Sequence, residues 1–160
     1  MKKIAVYNTL FTNGKPALVM ELEREYSPGN MLDNPNKLTE MLCNVFYADR
    51  ATEERMYLLC MDSKCNLMGV FHLAHGSVSL CTTSMREVFM KALLTGCSSI
   101  IVAHNHPSGI TDPSGYDTAI TKQLVQAGTI MSIPLLDHLI IGNGGKYFSY
   151  KESGMLDNQG

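Results

Sequence analysis

The sequence predicts an α/β sandwich, a fold in which helices pack against the faces of a β-sheet. Three observations lead to this prediction. Segments 98–103 and 135–141 are short, apolar and rich in β-branched residues, as buried central strands are. Two further pairs of apolar segments are joined by polar turns and have the form of hairpins. Segments with helical spacing of apolar residues lie between these strands, so strands and helices alternate.

The first hairpin is predicted from strands at residues 3–10 and 16–23, with a turn at 12–15 that contains Asn-Gly. Residues 27–36 are rich in Pro, Gly and Asn and predict an irregular connection. This connection suggests that residues 1–50 form a small N-terminal extension, a hairpin plus a helix, that packs on the main domain.

A helix is predicted over residues 36–47, because apolar residues recur there at helical spacing. These residues are Leu38, Met41, Leu42 and Val45. A second hairpin follows, with strands at 56–61 and 67–73 and a polar turn at 62–66.

The next helix begins at Ser84, which is followed three residues later by Glu87 as in a capping box, and it ends at Gly96. We interpret Glu87 as a helix-capping residue. Strand 98–103 then delivers the chain to His104.

After the loop that follows His104, a helix is predicted from Ser114 to about Ala127, with Gly128 as its stop. Strand 135–141 comes next. A glycine-rich turn then leads to a final strand at 146–150, so the main domain is expected to span 51–152 and a flexible tail 153–160.

Composition describes a globular protein. The chain has 160 residues, enough for one domain, with 45% hydrophobic and 18% charged residues. No apolar run approaches the roughly 18 residues that a membrane helix needs. The apolar stretch after Lys2 and Lys3 is too short for a signal peptide. These features predict a cytoplasmic protein with no membrane partner.

Cysteine usage and net charge exclude two classes of site. The five cysteines are odd in number and contain no Cys-x-x-Cys spacing, which argues against a disulfide framework and a cysteine zinc site. They are expected to be reduced thiols, mostly in the core. The net charge is −2, so the chain does not have the excess of basic residues that a non-specific nucleic-acid binder needs.

The residues that carry chemistry are His104, His106 and Asp117. At a strand end, the i, i+2 spacing of two histidines places both imidazoles on one face of the chain. The intervening Pro-, Ser- and Gly-containing loop can fold back so that Asp117, in the first turn of the next helix, reaches the same point. Two histidines and a carboxylate leave the fourth position of a tetrahedral zinc site open for water, whose pKa then falls to about 7.

Each part of this pattern also has an ordinary structural explanation. His-x-His occurs often by chance, and Ser114 with Asp117 is also a plain helix start. The joint occurrence of the two histidines, the loop and the aspartate favours a metal site over these explanations.

The pattern His-x-His, seven residues, Ser, two residues, Asp, which is formed by His104, His106, Ser114 and Asp117, resembles the JAMM (JAB/MPN) metalloprotease motif. Two longer segments are similar to the RadC-like branch of that family. They are His-Asn-His-Pro-Ser-Gly at 104–109 and Ile-Pro-Leu-Leu-Asp-His-Leu-Ile-Ile-Gly at 133–142. The resemblance covers roughly residues 50–150. It implies a three-layer αβα sandwich around a mixed sheet, related to the cytidine deaminases, with one Zn2+ and hydrolysis of a peptide or isopeptide bond in a protein or peptide substrate.

The resemblance also implies a glutamate that acts as general acid/base on the zinc-activated water. Glu54, shortly before the strand at 56–61, fits this role, and Glu53 is its rival. Ser114 would hold the water or stabilise the oxyanion, and it can also cap its helix.

Other residues of the resemblance have a structural and a functional interpretation. Asp137 and His138 could be hydrogen-bond partners of a metal ligand, or simply core residues. His72 and His75 have no partner at metal-binding spacing and are expected to be structural.

Three function classes follow. The first is a zinc metallopeptidase of the JAMM type. The second is a nucleic-acid enzyme, but a zinc deaminase needs a Cys-x-x-Cys pair, and the HNH nuclease motif is dispersed rather than consecutive. RadC-like proteins usually carry an N-terminal helix-hairpin-helix module, which residues 1–50 do not resemble, so only family association suggests DNA repair or nucleic acid. The third class is a non-catalytic metal-binding scaffold.

Overall fold

A computed structural model describes residues 2–26, 32–75 and 84–157. These residues form one mixed β-sheet with the strand order β2-β1-β4-β3-β5-β6-β7. The strands are β1 Lys2–Thr12, β2 Lys15–Tyr26, β3 Arg55–Met61, β4 Leu67–His75, β5 Ser99–Asn105, β6 Leu135–Ile141 and β7 Tyr147–Ser149. The α-helices are α1 Pro35–Phe46, α2 Met85–Thr95 and α3 Gly115–Met131, and single 3-10 turns lie at Ala48–Arg50 and Asn143–Gly145.

The sheet combines hairpins with parallel neighbours. β1 pairs with β2, β3 with β4 and β5, and β6 with β7, all antiparallel. β1 and β4 are parallel, as are β5 and β6. Parallel neighbours need a long crossover connection, which α3 supplies between β5 and β6. The predicted mixed sheet is therefore confirmed.

Helices cover both faces of this sheet and make three layers. Along β3, Tyr57 and Leu59 pack in the core under α1, whereas Met56 and Leu58 pack in the core under α2 and α3. This alternation follows from the two-residue period of a strand and explains why β3 is apolar throughout. The α/β sandwich predicted from the sequence is confirmed.

The topology brings three chain segments to one end of the sheet. β5 lies between β3 and β6, and its C-terminal end carries His104. Because β3 runs antiparallel to β5, with Met56 opposite His104, the residues just before β3 lie beside the end of β5. The first turn of α3 returns to the same end after the loop at 106–114.

One predicted helix end is wrong. α3 does not stop at Gly128 but continues to Met131 and ends at Ser132, which adopts a left-handed conformation with φ 56°. A Cβ atom on Gly128 would lie 2.6 Å from the carbonyl oxygen of Ile133. The glycine therefore permits close packing of the helix on the chain that follows it, rather than terminating the helix.

Smaller differences concern strand and cap details. β1 and β2 are longer than predicted, and β5 includes His104 and Asn105 because β6 supplies backbone partners as far as Asn105. Ser84 caps α2 as predicted, but the carboxylate of Glu87 lies 3.2 Å from Lys91 Nζ.

Four cysteines are free thiols, of which Cys65 is exposed and the other three, Cys43, Cys60 and Cys97, are buried. Cys81 and the breaker-rich positions 27–31 lie outside the described residues. Within the described ranges, no helix is both long and apolar enough to cross a bilayer.

Candidate metal centre

The two histidines meet at the end of β5. His104 is fully buried, and His106, just beyond the strand, is half-buried. Their Nε2 atoms lie 3.0 Å apart. The intervening residue, Asn105, belongs to the opposite face of the strand, so the i, i+2 spacing acts as the sequence predicted.

Asp117 completes this cluster from the first turn of α3, where its side chain is only 2% exposed. Its Oδ1 atom lies 3.2 Å from Nε2 of His104, and its Oδ2 atom lies 3.5 Å from Nε2 of His106. The loop between the histidines and α3 therefore folds back as expected.

Ser114 holds Asp117 in place through a complete capping box. The Ser114 oxygen accepts a hydrogen bond from the backbone N–H of Asp117 at 3.1 Å. Its hydroxyl and its own N–H both donate to Asp117 Oδ2 at 2.7 Å. The single hydroxyl hydrogen of Ser114 is thus given to the aspartate in this structure, which turns Oδ1 toward His104.

Glu54 lies beside the histidines. One carboxylate oxygen of Glu54 and one nitrogen each of His104 and His106 are all within 4.8 Å of one another. Glu53, the rival, is instead 3.5 Å from the guanidinium of Arg55. Asp117 is also closer to both histidines than this limit, so two carboxylates lie beside the histidine pair, the buried one of Asp117 and the half-buried one of Glu54.

The hydrogen bonds behind His106 fix its tautomer. Its Nδ1 atom lies 2.7 Å from the carbonyl oxygen of Ile110. Since a carbonyl only accepts, Nδ1 carries the hydrogen and the neutral ring presents a lone pair at Nε2.

A series of hydrogen bonds through Thr121 and His138 fixes the tautomer of His104. Thr121 Oγ1 donates to the carbonyl of Asp117 at 2.6 Å, so it must accept from Nδ1 of His138, also at 2.6 Å. Burial, with the nearby His104, keeps the pKa of His138 well below its usual value, so the His138 ring is neutral and its Nε2 accepts. That atom lies 2.8 Å from His104 Nδ1, which therefore carries the hydrogen. The neutral form of the His104 ring therefore also presents its lone pair at Nε2.

The Nε2 lone pairs of the two neutral rings and the Asp117 carboxylate converge on one point. These electron-rich groups repel one another unless a cation lies between them. Tetrahedral zinc with bonds of 2.0–2.1 Å separates its ligand atoms by about 3.3–3.4 Å. The two Nε2 atoms are 3.0 Å apart, and the two Asp117 oxygens lie at comparable distances, Oδ1 3.2 Å from Nε2 of His104 and Oδ2 3.5 Å from Nε2 of His106. The donor set of two imidazoles and one carboxylate therefore fits zinc or a related divalent ion.

In the metal-free protein a proton can serve as that cation. Hydrogen bonding to Asp117 raises the pKa of His106 above its usual value, although burial opposes this. For Asp117, burial opposes ionisation, but the interactions with His104, His106 and Ser114 prevail and hold its pKa well below the usual range. The carboxylate is therefore charged at neutral pH and available to a metal.

His138 is both a core residue and the hydrogen-bond partner of His104. Sequence reasoning missed Thr121, although its position four residues after Asp117 places both on one face of α3.

Asp137 has a different role. Its carboxylate accepts hydrogen bonds from Ser149 Oγ at 2.6 Å and from the backbone N–H of Lys151 at 3.0 Å, and so fastens the chain after β7. Burial raises the pKa of Asp137.

His72 stacks on Tyr57 with ring centroids 4.9 Å apart, and the side chain of His75 lies outside the described residues.

Comparison with known proteins identifies a family model described as the RadC-like JAB domain, which matches residues 32–155. A UPF0758 protein of Alkaliphilus oremlandii is 42% identical over 104 residues, covering 65% of this chain and 44% of the relative. A UPF0758 protein of Thermotoga maritima is 38% identical over 125 residues, covering 78% and 54%. The chain spans about half the length of these relatives.

Proposed function

This chain belongs to the family of RadC-like JAB domains, and from that premise we propose that it is a zinc-dependent hydrolase that cleaves a peptide or isopeptide bond. The observation that carries the proposal is the convergence of the His104 and His106 lone pairs on the Asp117 carboxylate, with Glu54 beside them. This combination supplies metal ligands and a separate acid/base group at one point.

His104, His106 and Asp117 would hold the metal through Nε2, Nε2 and a carboxylate oxygen. When bound, zinc lowers the pKa of a water molecule to about 7 and polarises a carbonyl group. Three protein ligands leave a coordination position open, as catalytic zinc sites do.

Glu54 moves the proton in this proposal. Amide hydrolysis adds water across the C–N bond, so one proton must leave the attacking water and reach the departing amine nitrogen. A carboxylate within hydrogen-bonding reach of the water takes that proton and, once protonated, donates it to the nitrogen. Glu54 ends the cycle as a carboxylate again.

The remaining residues orient these groups. The carbonyl of Ile110 and the hydrogen bonds through His138 and Thr121 place the hydrogen of each neutral ring on Nδ1, which leaves the Nε2 lone pairs to the metal. Such outer hydrogen-bond partners fix ring orientation and raise the basicity of ligands. We assign Ser114 a similar role, because its hydroxyl hydrogen is donated to Asp117.

We also propose that the protein acts in the cytoplasm. Three buried free thiols, Cys43, Cys60 and Cys97, support a reducing compartment.

The test compares hydrolysis by zinc-loaded wild type with that by Glu54→Gln, on a panel of peptides and of lysine-linked isopeptides. Gln has nearly the same shape as Glu but takes no proton, so we expect full zinc content and a loss of hydrolysis of at least 100-fold, as for general acid/base groups. Glu53→Gln is the matched control and should keep its activity. Equal hydrolysis by wild type and Glu54→Gln, or zinc loss in Glu54→Gln, would contradict the assigned role. Absence of hydrolysis by the zinc-loaded wild type across the panel would favour a metal-binding scaffold.

A further inference from the structure

Asn105 lies between the two histidines, and its side chain is used on the other side of the strand. It is the last residue of β5 and is 1% exposed. Because successive residues of a strand alternate between faces, Asn105 points away from the metal centre that His104 helps to form. A buried amide in this position must have hydrogen-bond partners, and those partners identify its role.

Both partners flank Glu54. Asn105 Oδ1 accepts a hydrogen bond from the backbone N–H of Arg55 at 2.7 Å. Asn105 Nδ2 donates to the backbone carbonyl of Glu53 at 3.0 Å. A single side chain therefore holds the main chain immediately before and immediately after the residue assigned as general acid/base.

The sheet register explains why a side chain is needed here. Backbone pairing of β3 with β5 places Met56 opposite His104, so the next steps place Arg55 opposite Asn105 and Glu54 opposite His106. At this point the main chain of β5 leaves β3, and the N–H of His106 donates to Ile141 of β6. The amide of Asn105 replaces the missing peptide group and continues the pairing with the start of β3.

We propose that Asn105 is a positioning residue that fixes Glu54 beside the metal ligands, by binding the main chain on both sides of it. The inference rests on the proposed function for its catalytic consequence, but its structural part stands on the two hydrogen bonds. A primary amide presents an NH2 donor group and a carbonyl acceptor at nearly the spacing of a peptide group. Ala presents neither, and Asp has no donor for the Glu53 carbonyl.

The position of Glu54 is sensitive to this support. Glu54 precedes β3, so it lies outside the backbone ladder that orders residues 55–61. A misplacement of about 1 Å in a catalytic group can lower a rate by about 100-fold. His104 and His106 are held independently by His138 and by Ile110. Loss of the Asn105 amide should therefore affect Glu54 without releasing the metal.

The structural part is tested by amide hydrogen exchange on the zinc-loaded wild type, Asn105→Ala and Asn105→Asp. We expect exchange at the Arg55 amide to accelerate about tenfold in Asn105→Ala, as the loss of one buried hydrogen bond predicts. The Arg55 amide of Asn105→Asp, which keeps an acceptor, should remain closer to wild type. Exchange at Leu58 and Leu59 should be unchanged. Unaltered exchange at Arg55 in Asn105→Ala would overturn the proposal.

The catalytic part is tested by zinc content and by steady-state kinetics on a substrate that wild type cleaves. Both Asn105 variants should keep their zinc and their KM, while kcat falls about 10- to 100-fold. Asn66→Ala, which removes an amide bonded to Asp62 at the opposite end of β3, is the matched control and should keep kcat. Wild-type kcat in Asn105→Ala would overturn the positioning role. If Glu54→Gln is as active as wild type, the proposed function fails instead, and amide exchange still decides whether Asn105 orders this segment.

Discussion

Replacement of Thr121 by valine tests the hydrogen-bond chain behind His104. Valine has nearly the shape of threonine but neither donates nor accepts, so two hydrogen bonds of 2.6 Å are lost, from His138 Nδ1 to Thr121 and from Thr121 to the Asp117 carbonyl. Thr121 and His138 are both fully buried, so water does not replace the lost partner.

The magnitude follows from these two losses. An orphaned buried donor costs about 1–3 kcal/mol, and a lost neutral hydrogen bond adds about 1 kcal/mol, so we expect destabilisation of about 3 kcal/mol. In a domain of this size that lowers the melting temperature by about 6–12 °C. Disturbing an outer partner of a metal ligand also weakens metal affinity by about 10- to 100-fold.

The assay is thermal melting of the metal-free protein, together with a chelator competition for zinc affinity. Thr118→Val is the matched control, because Thr118 is half-buried on the same helix and bonds Ser114 and Tyr150 instead of His138. Wild-type melting temperature and zinc affinity in Thr121→Val, or equal losses in Thr118→Val, would refute the chain of hydrogen bonds that fixes the His104 tautomer.

Two further predictions concern pH and packing. In the folded protein, Asp117 raises the pKa of His106 above its ordinary 6.5. The stabilising contribution of His106 is therefore complete below pH 6.5 and is lost as pH rises through the raised pKa. The melting temperature of the metal-free protein should fall over that range, and the same pH dependence of the melting temperature in His106→Ala would contradict this. Gly128→Ala should destabilise by up to about 2 kcal/mol in urea unfolding, because the clash with the Ile133 carbonyl outweighs a helix gain of about 1 kcal/mol, whereas Gly115→Ala, in open space on the same helix, should be neutral or stabilising.

The parts of the site that sequence predicts are those set by local geometry. A strand alternates its faces and a helix start favours a capping box, so the positions of His104, His106 and Asp117 relative to their own elements follow from spacing alone. The central place of β5 likewise follows from its apolar, β-branched composition.

The parts that sequence does not predict depend on packing between distant segments. The sequence offers both Glu54 and Glu53, and the register of β3 against β5 is what places Glu54 beside His106. His138 meets His104 and Thr121 across 34 and 17 residues of chain, because β6 pairs with β5 and α3 covers both. Gly128 resembles a helix stop locally, but its contact with Ile133 explains it better.

The central claim is most directly tested by the metal content of protein purified without chelator. Elemental analysis of wild type should find about one zinc per chain, as expected for three protein ligands and one open position. His106→Ala should lose the metal, and His72→Ala, on the other face of the sheet, should keep it. A wild type that holds no zinc even after zinc is supplied, or a His106→Ala variant with full zinc content, would contradict the assignment of this site.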